Sequence, residues 1–334
     1  MKLINAGIIG LGVGESHISG YQSHKQCRVA AICDFNTEAL EKVSQRHPHL
    51  KTYTSAEELI KDPDIDVVSI ASYDNCHYEQ IVAALEMNKH VFVEKPFCLF
   101  EKEARKIRSL LREKPQLKLS SNLILRNSPR FMKLKKKIDA GEMGKLYYLE
   151  ADYNYGRLDK ITNGWRGKLD YYSIVLGGGV HMVDLILWLA RDTVEEVSAF
   201  GNRISSAGTN FQYNDLVASV LRFKSGIVGK MTCNFGCVMP HFHGLSVFGT
   251  EATFINGPGN AQYFRSRDAA GKPIPDKSRY PGMQKGDLLV NFIDAIIDKV
   301  PQEVSSEDIF MGISVCFAIE KAVRENRVVR VDYI

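Results

Sequence analysis

The sequence predicts an α/β protein with an N-terminal parallel-sheet domain, residues 1–125, and an α+β domain, residues 126–334, built on a large open antiparallel sheet. Short β-branched runs alternate with helical apolar spacings through the first third, as in a parallel sheet covered by helices on both faces. Beyond residue 145 the texture changes to longer strands of alternating polarity, broken by turn signals such as KSG at 224–226. At 334 residues the chain is long enough for about two domains of ~150 residues, each with its own core.

The first domain is expected to place strands at 5–10, 28–33, 67–71 and 90–94, with helices at 15–23, 37–46, 78–87 and 101–112. Thr37 with Leu40 and Val43 combines a cap with helical apolar spacing, and Pro48 ends that helix. The segment 117–125 reads as the last strand of this sheet and leads through Arg126 and Pro129 into a helix at 131–140. The boundary between the domains falls between residues 122 and 141. The second domain is expected to carry strands at 146–155, 195–204, 215–223, 227–235 and 245–249, with one strong helix at 179–190. Two amphipathic helices, 285–299 and 306–325, and a strand-like VVRVDYI close the chain.

Composition narrows the class further. Hydrophobic residues make up 45% and charged residues 25%, so disordered, collagenous and membrane classes are disfavoured. A net charge of +4, from 43 basic and 39 acidic residues, is too small and scattered to mark a nucleic-acid surface. The KLKKK run at 133–137 reads as the solvated face of its helix. No 18-residue apolar stretch occurs, and MKLINAGIIGLG runs into glycine rather than a cleavable leader, which predicts a cytoplasmic protein without membrane contact. Seven dispersed cysteines fit reduced thiols.

The first chemical signal is GIIGLGVGESH. Gly10, Gly12, Val13 and Gly14 follow a strand and precede a helix, a turn that lets backbone N–H groups approach a pyrophosphate at the helix N-terminus. The spacing departs from G-x-G-x-x-G, because Glu15 holds the expected third glycine position. Asp34, 24 residues beyond Gly10, ends the second strand. A carboxylate there accepts ribose hydroxyls and repels a 2′-phosphate, and no arginine follows it, so the expected cofactor is NAD in a Rossmann domain.

The second signal spans residues 69–98 and ends in Glu94, Lys95 and Pro96. Ser72, Tyr73, Asp74 and His77 form a degenerate version of a T-P-N-x-x-H loop, and the E-K-P after the later strand is complete. With LILRNSPRF, GEMGK and GGGVHMVDLILWL, this chain resembles the Gfo/Idh/MocA oxidoreductases over nearly its whole length. The resemblance implies an NAD-dependent oxidoreductase acting on a sugar, polyol or nucleotide-sugar. Ser72, His77, Glu94 and Lys95 would border the cofactor, and Pro96 would fix the turn through a cis bond. Physically, a lysine at the carboxyl end of a central strand lies where open α/β sheets bind ligands, and its ammonium can stabilise alkoxide character. Lys95 is therefore expected to be catalytic.

His181 and Asp184 lie three residues apart and share one face of the 179–190 helix. A neutral histidine can take a hydroxyl proton while the cofactor takes the hydride, and the resemblance gives the matching histidine this role. Many members carry an aspartate four residues earlier, where this chain has Gly177, leaving Lys95 and His181 as the acid/base set. Asp184 either contacts a sugar hydroxyl or caps and orients. Asn122, Arg126, Tyr153, Trp165 and Arg166 are candidate substrate contacts, offering stacking and anion binding. The CNFGCVMPHFH stretch lacks zinc spacing, so no metal is expected; His241 or His243 would instead rim the substrate cleft between the domains. The outer sheet face would form a homodimer or tetramer.

Two rivals remain open. An NAD-dependent glycosidase would use transient redox and elimination, with one of Tyr147, Tyr148, Tyr153 and Tyr155 as an added acid/base. A non-catalytic dinucleotide sensor would need neither Lys95 nor His181.

Overall fold

Runs rich in Val, Ile and Ala form the central strands of a parallel sheet because both faces are covered; VVSI at Val67–Ile70 is buried at all four positions. A computed structural model describes residues 3–298 and 300–334. Strands β1 (Ile4–Ile9), β2 (Cys27–Cys33), β3 (Lys51–Tyr53), β4 (Val67–Ile70), β5 (His90–Val93) and β6 (Leu119–Ser121) pair in the order β3-β2-β1-β4-β5-β6. Between them run helices α1 (Glu15–Gln22), α2 (Thr37–Arg46), α3 (Ala56–Lys61), α4 (His77–Glu86) and α5 (Glu101–Glu113). Strand order reverses between β1 and β4, so the carboxyl ends of these strands open the crevice used for ligands in such sheets. The sequence did not disclose β3 and α3: KTY is short, mostly exposed and carries no apolar run. The expected strand at 117–125 is also shorter, ending at Ser121 before a 3-10 turn over Ile124–Asn127.

The second sheet has nine strands: β7 (Leu146–Asn154), β8 (Val194–Asn202), β9 (Leu216–Phe223), β10 (Val228–Asn234), β11 (Phe242–Gly249), β12 (Thr253–Asn256), β13 (Ala261–Phe264), β14 (Ile274–Asp276) and β15 (Val329–Arg330). Their order is β14-β13-β12-β11-β7-β10-β9-β8-β15. It is mixed, correcting the antiparallel expectation, because β10 runs parallel to β7 from Val228 opposite Tyr148 to Asn234 opposite Asn154. The cause is the long connection after β7: it returns through a helix and sets β8 running with β7, and two hairpins then bring β10 alongside in the same direction. The closing VVRVDYI segment contributes only Val329 and Arg330 as strand.

The remaining helices are α6 (Pro129–Asp139), α7 (Asp159–Thr162), α8 (Val180–Ala190), α9 (Asp287–Ile297) and α10 (Ser306–Glu325). Helix α8 lies on the face of β7 that buries Leu149, Ala151 and Tyr153. The chain divides into two compact units, one made of residues up to Ile124 with Met283–Phe310 and Ile334, the other of Leu125–Gly282 with Met311–Tyr333. The expected second domain, 126–334, is uninterrupted, whereas α9 and the head of α10 cluster with the parallel sheet. Lys299, the expected end of the 285–299 helix, lies outside the described residues, as do Met1 and Lys2 of the stretch read against a leader.

The KLKKK run is not uniformly solvated. Lys135 is buried, donates to Asp139 at 2.5 Å and sits 5.9 Å from the Trp188 ring. Among the described residues no helix is long and apolar enough to cross a membrane.

Candidate active site

In the first unit the turn after β1 is shaped by Gly10, whose φ of +86° suits glycine. A Cβ there would lie 2.4 Å from the carbonyl oxygen of Ala71. Gly12 faces open space, with nothing within 4 Å of its Cβ position, and Gly14 caps α1. Asp34 follows β2 and is nearly buried; its Oδ2 accepts the Leu11 N–H at 2.8 Å and its Oδ1 accepts the Asn36 N–H at 2.9 Å. The acid is thereby tied to the glycine turn, and each oxygen keeps a lone pair for a ribose hydroxyl. Glu15 at the third glycine position pairs with Arg46 at 2.5 Å. This open glycine turn, with a carboxylate fixed beside it, fits the pyrophosphate and ribose of NAD.

An aromatic pair accompanies this turn. Phe35, 71% exposed, meets Tyr73 edge-on at 5.8 Å, two apolar surfaces that the sequence reading did not assign to the nucleotide.

At the end of β5 the Lys95–Pro96 peptide is cis. His77 is fully buried, its Nδ1 2.7 Å from the Pro96 carbonyl oxygen and its Nε2 3.1 Å from the Ser72 carbonyl oxygen. A neutral imidazole donates to one of these two carbonyls and packs against the other, which places His77 between the loops that follow β4 and β5. Ser72 donates through Oγ to Gln80 at 2.7 Å.

Glu94 lies behind Lys95. Its Oε1 accepts Asn122 Nδ2 at 2.7 Å and faces His17 Nε2 at 3.4 Å, while His17 Nδ1 sits 2.9 Å from Ser69 Oγ. Burial pushes the Glu94 carboxyl up, but the His17 hydrogen bond and the Lys95 and His17 charges outweigh it and hold it well below the usual range. Asn122, expected on the substrate, is 2% exposed and also donates to the Lys285 carbonyl at 3.1 Å. It props Glu94.

In the second unit a π-helical turn, Val175–Gly179, runs into α8 and presents His181. Ser173 Oγ accepts the Val175 and Leu176 N–H groups at 3.1 Å and donates to Glu320 at 2.5 Å. Gly177 is required by a close approach, since a Cβ there would lie 2.4 Å from the hydroxyl of Tyr172, itself 2% exposed. Gly177→Ala is expected to destabilise this unit by about 1–3 kcal/mol, read as a lower urea midpoint, and Tyr172→Phe in the same chain should restore part of it.

Arg126 and Asp184, both expected on substrate, are paired with each other. Nε donates to Oδ2 at 3.0 Å and Nη2 to Oδ1 at 2.6 Å, with both side chains buried. Tyr153 centres an aromatic cluster, near-parallel to His181 at 6.3 Å and edge-on to His241 at 5.1 Å and His243 at 5.4 Å; burial raises its hydroxyl pKa strongly. Trp165 and Arg166 occupy a separate 3-10 turn, Trp165–Lys168, where the guanidinium lies 4.4 Å from the indole.

A model described as the oxidoreductase family's NAD-binding Rossmann fold matches residues 4–122, and a GFO/IDH/MocA C-terminal domain model matches residues 131–255. The chain belongs to the GFO/IDH/MocA oxidoreductase family. A myo-inositol 2-dehydrogenase from Thermotoga maritima is 27% identical over 98% of both chains. A 1,5-anhydro-D-fructose reductase from Ensifer adhaerens is 29% identical over 61% of each. Among solved structures, a levoglucosan dehydrogenase in complex with NADH and levoglucosan superposes with a TM-score of 0.86 over the full length of both chains at 21% identity. As a member of this family the chain is an NAD-binding oxidoreductase.

Proposed function

We propose that this family member oxidises a secondary hydroxyl of a cyclic polyol or sugar, with Lys95 holding the oxygen and His181 taking its proton. NAD, when bound, supplies the hydride acceptor. The observation that carries the reading is Lys95 at the carboxyl edge of the sheet, in a complete E-K-P whose largely enclosed Glu94 is held as a carboxylate beside it. An ammonium there lowers the cost of negative charge on the substrate oxygen, and an imidazole on α8 accepts the proton near neutral pH. The full-length similarity to a protein named as an inositol dehydrogenase supports the polyol class.

Asp34 would reject a 2′-phosphate by like-charge repulsion, while Phe35 and Tyr73 would flank the adenine. Gly10, Gly12, Val13 and Gly14 would hold the pyrophosphate, with Ser72 beside the nicotinamide end. Tyr153 and His241 would border the substrate, and Trp165 and Arg166 would meet its far side. We assign the open face of the nine-stranded sheet, which exposes Phe200, Val220 and Val228, to a homodimer or tetramer. All seven cysteines are free thiols, which fits a cytoplasmic setting.

The test is a panel of inositols, free sugars and UDP-sugars with NAD and NADP, followed at the absorbance of reduced nicotinamide. Net NADH formation on a cyclic polyol is expected, with NADP at least about tenfold poorer in kcat/KM, equivalent to ~1.4 kcal/mol. Sugar release without net NADH would replace this reading with the glycosidase.

A further inference from the structure

We propose that His243 contacts the substrate as a hydrogen-bond donor of fixed tautomer, presenting Nε2–H to a substrate oxygen near the reacting carbinol and so setting which polyols are accepted. The proposal rests on the dehydrogenase reading above and deepens it.

The ring belongs to β11, which pairs with β7 so that His243 stands opposite Tyr153. It is 8% exposed, its centroid 4.6 Å from that of His241 and 6.4 Å from that of His181. One nitrogen is committed: Nδ1 lies 3.0 Å from the Tyr280 hydroxyl oxygen. That oxygen accepts the His243 backbone N–H, also at 3.0 Å. Its own proton has two acceptors in reach, Nδ1 at 3.0 Å and the His243 carbonyl oxygen at 3.4 Å. The carbonyl already accepts Asn256 Nδ2 at 2.8 Å and is the more distant of the two acceptors. The phenol therefore donates to Nδ1, and a neutral imidazole that accepts at Nδ1 carries its proton on Nε2.

The surroundings hold this arrangement in place. Arg130 donates to Asn256 Oδ1 at 2.7 Å and to the Ser278 carbonyl at 2.9 Å, and its guanidinium covers the Tyr280 ring at 4.9 Å. Asn256, Tyr280 and His243 thus form a closed frame with one donor left over. Nε2 has no hydrogen-bond partner among the described residues and is not among the fully enclosed polar atoms. Burial, with His241 nearby, pushes the imidazole down to about 3, so it stays neutral across the working range and does not compete with His181 for the proton. A neutral donor next to a proton acceptor selects a substrate with a hydroxyl, ether or carbonyl oxygen beside the carbinol. A deoxy analogue leaves the donor unpaired.

Two measurements test this on the full chain. Two-bond 1H–15N spectra of histidine-labelled protein should show His243 as the Nε2–H tautomer at pH 6–8 (roughly the working range) and mixed in Tyr280→Phe; an Nδ1–H form or an imidazolium overturns the proposal. In turnover, His243→Phe should raise KM on the best polyol by about ten- to a hundredfold and erase its preference over one monodeoxy analogue, with the Kd for NADH unchanged. His243→Asn, which keeps a donor, should recover part of the preference. If wild type turns over polyols and both variants rank the deoxy series as wild type does, this inference falls alone. If wild type reduces no cofactor with any polyol, the dehydrogenase reading falls and takes the substrate role with it.

Discussion

Lys95→Ala is expected to lower kcat/KM for polyol oxidation by about 10²–10⁴-fold while leaving NADH affinity within a few-fold of wild type. On the proposed reading the dinucleotide would be held chiefly by the glycine turn and by Asp34, whose carboxylate is fastened to Leu11 and Asn36 and not to Lys95. In the proposed role Lys95 would instead act on the substrate oxygen, where an ammonium matters more in the transition state than in the ground state. Lys95→Arg should not rescue the loss. A planar guanidinium on a longer stem cannot put one compact charge at the same point, and it stays protonated where a lysine can exchange a proton. Steady-state turnover measured beside a fluorescence titration of NADH separates chemistry from binding. A Lys95→Ala chain that turns over as fast as wild type would overturn the catalytic role of Lys95.

The same variant probes the buried carboxylate behind it. Glu94 is kept ionised by His17 and by the charges of Lys95 and His17 against the pull of burial. Removing Lys95 removes one of these, leaving a charged group that burial disfavours. His17 and Asn122 still hold Glu94 Oε1, so the loop geometry should survive and the activity loss should not be secondary to unfolding. Thermal midpoints of the two proteins, compared at one pH, check this.

What could be read from the sequence was local. Thr37–Arg46 and Ser306–Glu325 fold over the stretch their periodicity marks, because apolar spacing and terminal residues decide a helix within its own length. The glycine turn, Asp34 and E-K-P are contiguous motifs with a fixed place in the strand order. The rest depends on partners far along the chain. Strands β3, β13 and β14 are three or four residues long and gain their state from neighbours. The β7–β10 parallel pairing follows from a crossover, which no single strand records. Asn122, Arg126 and His77 looked like ligand contacts because they are polar and near motifs. Apart from the Ser72 carbonyl beside His77, their carboxylate and carbonyl partners lie 19 to 163 positions away, so only the fold reveals these contacts within the protein. The same distance hid the tautomer of His243, which the sequence placed only as a rim candidate and which depends on a tyrosine 37 positions later.

Asp184→Ala is expected to cost about 3–5 kcal/mol of stability, the largest structural effect of any single change described for the second unit. The carboxylate receives two charge-assisted bonds from Arg126, and both side chains are at most 6% exposed. Truncating it leaves a guanidinium buried near Trp188, 5.9 Å from the ring centroid, with its principal counter-charge gone. Asp184→Asn keeps the shape and loses the charge, so it should fall between wild type and alanine. The double variant Arg126→Met, Asp184→Leu removes both charges and should recover most of the loss, because the penalty lies in the unpaired ion rather than in the absence of the pair. Urea denaturation followed by far-ultraviolet circular dichroism gives the ordering. His181 is one turn before Asp184 on α8, and the double variant should remain folded because the helix keeps its buried packing; a reduced kcat in that folded variant is the expected sign that the ion pair helps to place His181. Equal stability of Asp184→Ala and wild type would mean that the guanidinium finds solvent when its partner is removed, and the orienting role of the pair would fall with it.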